Sequence, residues 1–397
     1  MFYKKYKRLD REYPIVQQHG IFKRQVGLFQ AVAFIVSGTI GAGVLGIPYA
    51  VAKVGIGVGI IYVVALGLLF MGLNLFVGEV AARTKGNLRL VGMAREYLGK
   101  TGEVFMTLFL YLLQFGVLVV FTIGEGRALS ELFGGSAFVW SVVFFVVGNL
   151  LIITGLKVIK TVDFFLSLGL LFVIAIISAF AAPHINIDHV SYSNLAYLLF
   201  PYGVILFAYS GSAAVVEAHV VLRKRDMTFK KAIIISGVIT IFVYVLFTLV
   251  VVGVTGPETT EVATVGLGRV IGKNMLIFGN IFAVLAMGTT FLIIGMSLKD
   301  SLIWDYKLPK YITLPVVVFV PFLIFLLGVR QFIAAIDVVG GVFISVEMVM
   351  IVLIYWRAKH TGRLKRSKYN MHHTLLFVVL LLLAFTIGAV YSVVKLF

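Results

Sequence analysis

Apolar residues in this chain come in long, nearly unbroken runs. They show neither the alternation of a half-buried strand nor the three-four spacing of a soluble helix. Eleven such runs lie at about 29–52, 57–82, 104–129, 138–155, 161–182, 195–221, 232–253, 275–297, 311–329, 331–355 and 373–396. Each is long enough for a helix to cross about 30 Å of hydrocarbon. The pattern predicts an all-α polytopic membrane protein with eleven transmembrane helices. The runs 311–329 and 331–355 are joined tightly around Arg330. Between Asn87 and Glu103, Leu88, Val91, Ala94, Tyr97 and Leu98 recur at helical spacing among basic residues. That segment predicts an amphipathic helix lying on the membrane surface.

Two runs are interrupted from within. The first contains Ser37-Gly38-Thr39-Ile40-Gly41-Ala42-Gly43-Val44-Leu45-Gly46-Ile47-Pro48, and the sixth contains Tyr209-Ser210-Gly211-Ser212. Lipid supplies no hydrogen bonds, so a spanning helix gives up its ladder only where the freed backbone faces protein or a cavity. One reading is a small-residue face against which a neighbouring helix packs. The other is a pair of broken helices whose backbone groups grip a small zwitterion or ion, the pattern of inverted-repeat transporters. The interrupted runs open two successive blocks of five, which favours the second reading. An odd number of helices per block inserts the second block upside down. The chain divides into an N-terminal segment 1–28, a first five-helix repeat 29–182, an inverted second repeat 195–355 and an eleventh helix 373–396.

Composition agrees, with 61% hydrophobic and 13% charged residues. The net charge of +17 is mainly a topology signal. Of 34 Lys and Arg, all but Lys53, Arg127, Arg269, Lys273, Arg330 and Lys395 fall in the N-terminal segment or in the loops after even-numbered runs. Basic residues mark the cytoplasmic side. The N-terminus is therefore expected in the cytoplasm and the C-terminus outside, in a plasma membrane, and a nucleic-acid partner is not expected. With no cysteine, disulfides and thiolate metal sites are excluded. No cleaved signal peptide is expected. No phosphate-binding loop, HExxH or GxSxG motif accompanies a soluble domain, so neither an enzyme nor an ATP-driven pump is expected.

The run Ile40-Gly41-Ala42-Gly43-Val44-Leu45-Gly46-Ile47-Pro48 resembles the first-helix signature of the amino acid/auxin permease family. The similarity is greatest to its bacterial hydroxy and aromatic amino acid permeases. It continues through Glu79, through Ala94-Arg95-Glu96-Tyr97-Leu98-Gly99-Lys100, through Phe207–Gly211 and through Thr289-Thr290-Phe291-Leu292. The resemblance implies the five-plus-five fold of the amino acid–polyamine–organocation superfamily, and symport of amino acids with protons or sodium. Glu217 stands where relatives often have proline, and His219 where some carry an acid. Asp337 and Glu347 match no family position.

Candidate residues follow. The substrate carboxylate wants N–H donors at the start of a half-helix, which Ala42, Gly43 and Val44 offer, and its ammonium wants carbonyls near Ser37, Thr39 and Tyr209–Gly211. Gly41, Ser210 and Ser212 complete this candidate substrate site. Phe115, Gln114 and Tyr209 are candidates for the pocket wall. The resemblance implies that Thr289 and Thr290 are possible sodium ligands. The competing expectation is a proton, because a buried carboxylate holds its proton more tightly. Glu217 is the leading candidate, followed by Glu347 and His219. Glu79 and Asp163 are placed near inner ends, paired structurally with basic loops, and Glu125 and Arg127 at the outer end of their run. Lys53 is expected to snorkel. No cofactor is expected beyond the coupling ion, H+ or Na+. The reading is a secondary transporter importing neutral, aromatic or branched L-amino acids by alternating access, with proton coupling favoured over sodium. A non-transporting amino-acid sensor and a channel are the remaining alternatives.

Overall fold

Four glycines within Gly38–Pro48 each cost about 1 kcal/mol relative to alanine inside a helix, and Pro48 has no N–H to donate. The first run accordingly folds as two helices, α1 (Leu28–Thr39) and α2 (Ile47–Val54), separated by extended Ile40 and Gly41 and a 3-10 turn, Ala42–Leu45. The chain bends by 58° across this break. The computed structural model describes residues 27–84, 88–154, 159–222, 226–304, 306–327, 331–361, 364, 367, 369–371 and 375–394. The N-terminal segment (apart from its last two residues), Lys157, Arg223–Arg225, Arg330 and Lys395 lie outside the described residues.

Gly55, with φ of +95°, makes the turn into α3 (Ile56–Arg83). A side chain there would also strike the Tyr192 carbonyl. Next comes α4 (Leu90–Phe133), whose ladder is broken at Gly99 with φ of +75°. Only glycine takes that value without strain, and it separates the expected surface helix from the long segment beyond. Then follow α5 (Ala137–Thr154), α6 (Ile159–Ala181), α7 (Pro201–Tyr209), α8 (Ser212–Val221) and α9 (Asp226–Thr255). After a short α10 (Ala263–Ile271) come α11 (Lys273–Trp304) and α12 (Lys310–Leu326). Next is α13 (Phe332–Val338), running through a π-helical stretch, Val339–Ile344, into α14 (Ser345–His360). The final helix is α15 (Leu375–Val394). No strand occurs among the described residues.

All eleven predicted runs are helical. By length and apolarity, α3, α4, α5, α9, α11, the α13–α14 unit and α15 suffice to cross a bilayer, and the bent α1–α2 pair makes an eighth. The remaining runs form α6, α12 and the interrupted α7–α8. Apolar side chains point outward from the peripheral helices, including Val139, Val143, Val147 and Leu150 on α5 and Val379, Leu383, Ile387 and Val390 on α15. Such surfaces need lipid; this is a multi-pass membrane protein.

The broken helices occupy the centre. Every residue of α7 is buried, as are six of the eight in α2. A helix apolar on all sides belongs inside a bundle. α1 lies against α8, and α2 against α7. The first half of one broken helix therefore meets the second half of the other, which makes the two antiparallel. α3, α9 and α11 pack around them.

Candidate substrate site at two helix breaks

At the first break, Ile40 N–H still reaches Val36 O (2.7 Å), but Gly41 N–H turns back to Thr39 O (3.1 Å). The Ser37 carbonyl thereby loses its helical partner. The ladder resumes with Val44 N–H to Gly41 O (3.4 Å), so the Ala42 and Gly43 N–H groups precede it. The second break repeats the arrangement. Ser210 (φ −64°, ψ 105°) is extended, and the ladder of α8 begins with Ala214 N–H to Gly211 O (3.0 Å). The Ser212 and Ala213 N–H groups precede it. Two half-helix starts, each with donors ahead of its first hydrogen bond, thus lie within the same crossing.

Glycine lets the breaks approach. A Cβ on Gly43 would sit 2.8 Å from Ala208 Cα, and one on Gly211 would sit 3.0 Å from Thr39 Cβ. Gly38 presses on Ala214 in the same way. Gly41 differs: the nearest atom to a Cβ there is Thr290 Oγ1, at 3.9 Å. Room in this crossing lies between Gly41 and α11.

The hydroxyls of the breaks are turned onto their own helices. Ser37 Oγ donates to Phe34 O (3.0 Å), Thr39 Oγ1 to Ile35 O (2.8 Å) and Ser210 Oγ to Phe207 O (2.8 Å). Ser212 Oγ donates to Asn74 Oδ1 (3.1 Å) on α3. Thr290 Oγ1 donates to Ala286 O (2.8 Å), and Thr289 Oγ1 to Leu285 O (2.8 Å) and Ala286 O (3.2 Å). Their protons are committed, and what each hydroxyl can still offer is a lone pair.

Other expected residues are placed differently. The Tyr209 ring turns away from the break into the core, stacking on Phe70 at 5.8 Å and donating to Val63 O (3.0 Å). Phe115 lies near the π-helical stretch, since its neighbour Gly116 abuts Val339 and Phe343. It is Phe121 that meets Phe207, edge-on at 6.1 Å, beside the second break. Tyr244 on α9, which the sequence reading does not single out, ties the breaks together: its one hydroxyl proton is shared between Ala208 O (2.7 Å) and Thr39 O (3.3 Å). Only a polar handle inside an otherwise apolar run hints at it in the sequence.

Among the ionisable candidates, the Glu217 and Asp163 side chains lie outside the described residues, as does that of the substrate-site candidate Ala42. His219 is half-buried, with its ring 5.3 Å from Phe229. Glu347 is buried in the first turn of α14. Glu79 is fully buried and bonded to Arg83, to Lys359 (2.6 Å), to Tyr355 Oη (3.3 Å) and to Met371 N–H (3.1 Å). Arg127 pairs with Glu261 at 2.6 Å. Glu125 sits well inside α4 rather than at a helix end, and is fully buried.

Known proteins place this arrangement. A tyrosine-specific transport system of Haemophilus influenzae is 25% identical, over 87% of this chain and 92% of its own length. A glutamine transporter of Aliivibrio fischeri is 24% identical, over 89% of this chain and 97% of its own length. Among solved structures, the inward-facing conformation of Mhp1 matches with a TM-score of 0.65 at 16% identity, covering 94% of this chain and 90% of that one. The structure of MhsT in complex with L-phenylalanine matches with a TM-score of 0.61 at 12% identity, covering 92% and 98%. Likeness at this level shows a shared fold. The profile of the tryptophan/tyrosine permease family spans residues 24–392, so this chain belongs to that family and is an amino-acid transporter, not an enzyme.

Proposed function

We propose that the protein imports a neutral L-amino acid with an aromatic or branched side chain by alternating access, driven by the proton gradient. The observation that carries this reading is the pair of half-helix starts at Gly41–Gly43 and Gly211–Ala213, brought side by side in a buried crossing. The substrate carboxylate takes the N–H groups of Ala42 and Gly43, and its ammonium takes carbonyls of Ser37–Ile40 and Tyr209–Gly211. The substrate's own side chain lies toward Thr290 and Phe121. The family, the tyrosine- and glutamine-transporting relatives and the phenylalanine-bound neighbour support an amino acid as substrate.

In this reading the chain crosses a plasma membrane eleven times, with the N-terminus cytoplasmic and the C-terminus outside. Residues 29–182 and 195–355 form two inverted repeats within the wider amino acid/auxin permease group. The antiparallel packing of α1 on α8 and α2 on α7 supports the inversion. Thermal-shift screening of the purified protein against all twenty amino acids tests the substrate class. A rise in melting temperature for aromatic or branched side chains is expected, and a flat response to all twenty contradicts it.

A sodium-coupled version has one specific support, the Thr290 hydroxyl beside Gly41. Sodium needs several oxygen ligands, and Thr289 and Thr290 supply two at most. Sodium-dependent uptake that fails in Thr290→Val and ignores pH would select it.

A further inference from the structure

The stretch Gly124-Glu125-Gly126 of α4 is packed on several sides. A Cβ on Gly124 would lie 2.7 Å from the Phe332 ring of α13, and one on Gly126 would lie 2.5 Å from Ala137 O at the start of α5. Between these glycines Glu125 faces α11, where a Cβ on Gly288 would lie 3.1 Å from its Oε1 and 3.7 Å from the Phe144 ring. The carboxylate is inaccessible to solvent, and neither oxygen has a hydrogen-bond partner among the described residues. The backbone of Gly288 is the polar group turned toward it.

No opposite charge faces it among the described residues. Helix α5 carries no ionisable residue, and those of α11 (Lys273, Lys299, Asp300) stand toward its two ends. Arg127 on α4 is engaged by Glu261, and Glu131 by Arg269. In α13, Asp337 is turned onto Gly203 of α7. Glu347 stands beyond the π-helical stretch, in the first turn of α14.

An ionised carboxylate without donors or a cation is expensive at this depth, and such groups inside membranes mark ion or proton pathways. Met287, Phe332 and Phe144 do not make a sodium site, whereas a proton needs a single oxygen. Gly288 also leads directly to Thr289 and Thr290, and the latter borders the open space at Gly41. We propose that Glu125 binds the coupled proton, a role that rests on the proton-symport reading above. With the proton on Oε1 or Oε2 the carboxyl is neutral, and α4 and α11 close as observed. Loss of the proton to water leaves a carboxylate that requires hydration, so the α4–α11 crossing opens. That movement is transmitted along α11 to the first break. No covalent bond to substrate is made or broken.

The test uses the full chain in liposomes, with radiolabelled L-tyrosine and an entrapped pH dye. One proton per substrate raises the accumulation ratio about tenfold per pH unit of inward gradient. The wild type should show this rise together with substrate-dependent proton influx. Glu125→Gln should lose both, while tyrosine counterflow without a gradient stays measurable. Glu125→Asp, which retains a titratable carboxyl, should recover part of the accumulation and shows that loss in Glu125→Gln is not misfolding. Accumulation and proton influx in Glu125→Gln equal to wild type overturn the role of Glu125 and leave proton symport standing. A wild type that accumulates tyrosine without proton influx overturns the symport reading itself.

Discussion

Glu79 and Glu125 are the same residue type at the same burial, both fully inaccessible, yet their surroundings are opposite. Glu79, near the C-terminal end of α3, binds Arg83, Lys359, Tyr355 and the Met371 amide. Lys359 and Arg83 also hold Asn370 Oδ1, at 2.7 and 2.9 Å, tying the segment before α15 to α3. Glu125, between α4 and α11, has no ion-pair or side-chain partner among the described residues and faces only the backbone of Gly288. A buried carboxylate saturated with donors stabilises one structure. On the proposal above, a buried carboxylate with none is tolerated because it takes up and releases the coupled proton. Burial does not separate structure from chemistry here; the partners do.

The largest expected effect breaks the comparison at Glu79. Removing one member of a buried ion cluster costs about 3–5 kcal/mol, because the remaining charges lose their counter-charge. Glu79→Leu should therefore lower the melting temperature strongly in detergent, whereas Glu125→Leu should leave stability within about 1 kcal/mol of wild type, having no partners to orphan. Equal destabilisation by the two would erase the distinction.

A smaller effect separates the glycines of the first break. Gly43→Ala forces a methyl against the Ala208 backbone and should cost about 1–3 kcal/mol as overpacking. Gly41→Ala meets only Thr290 Oγ1 at 3.9 Å and should melt close to wild type.

The smallest effect concerns pH at the Glu79 end. Burial, followed by the nearby Glu79 carboxylate and Tyr355, holds the Tyr369 phenol well above its ordinary value near 10. The folded state thus binds that proton more tightly than the unfolded chain. Its contribution is complete below pH 10 and declines as pH rises beyond it. Tyr369→Phe should reduce the loss of melting temperature between pH 10 and 11 and change little at pH 7.

Much of this was legible in the sequence. Run length located the helices, because lipid demands unbroken apolar stretches. Clustered glycines and small polar residues mark the two breaks, and the apolar spacing from Leu88 to Leu98 marks a helix, whereas the interruption at Gly99 is not foreshadowed. Side-chain direction was not legible. Tyr209 looked like a pocket residue but points into the core, because Val63 O and Phe70 offer it a better site. The apolar run 104–129 puts Glu125 near a helix end, yet α4 continues to Phe133 and Glu125 is packed among its neighbours. Tyr244 carries no signal beyond its own hydroxyl.

If the space at the first break holds the amino acid, filling that space must weaken binding. Equilibrium binding of radiolabelled L-tyrosine to purified Gly41→Val tests it most directly. The extended backbone of Gly41 (φ −113°, ψ −159°) accommodates valine, so the variant should fold. The added side chain fills the space facing Thr290. The wild type should bind tyrosine, and the variant at least about tenfold more weakly, a loss of about 1.4 kcal/mol or more. Undiminished tyrosine binding by a folded Gly41→Val protein would contradict it.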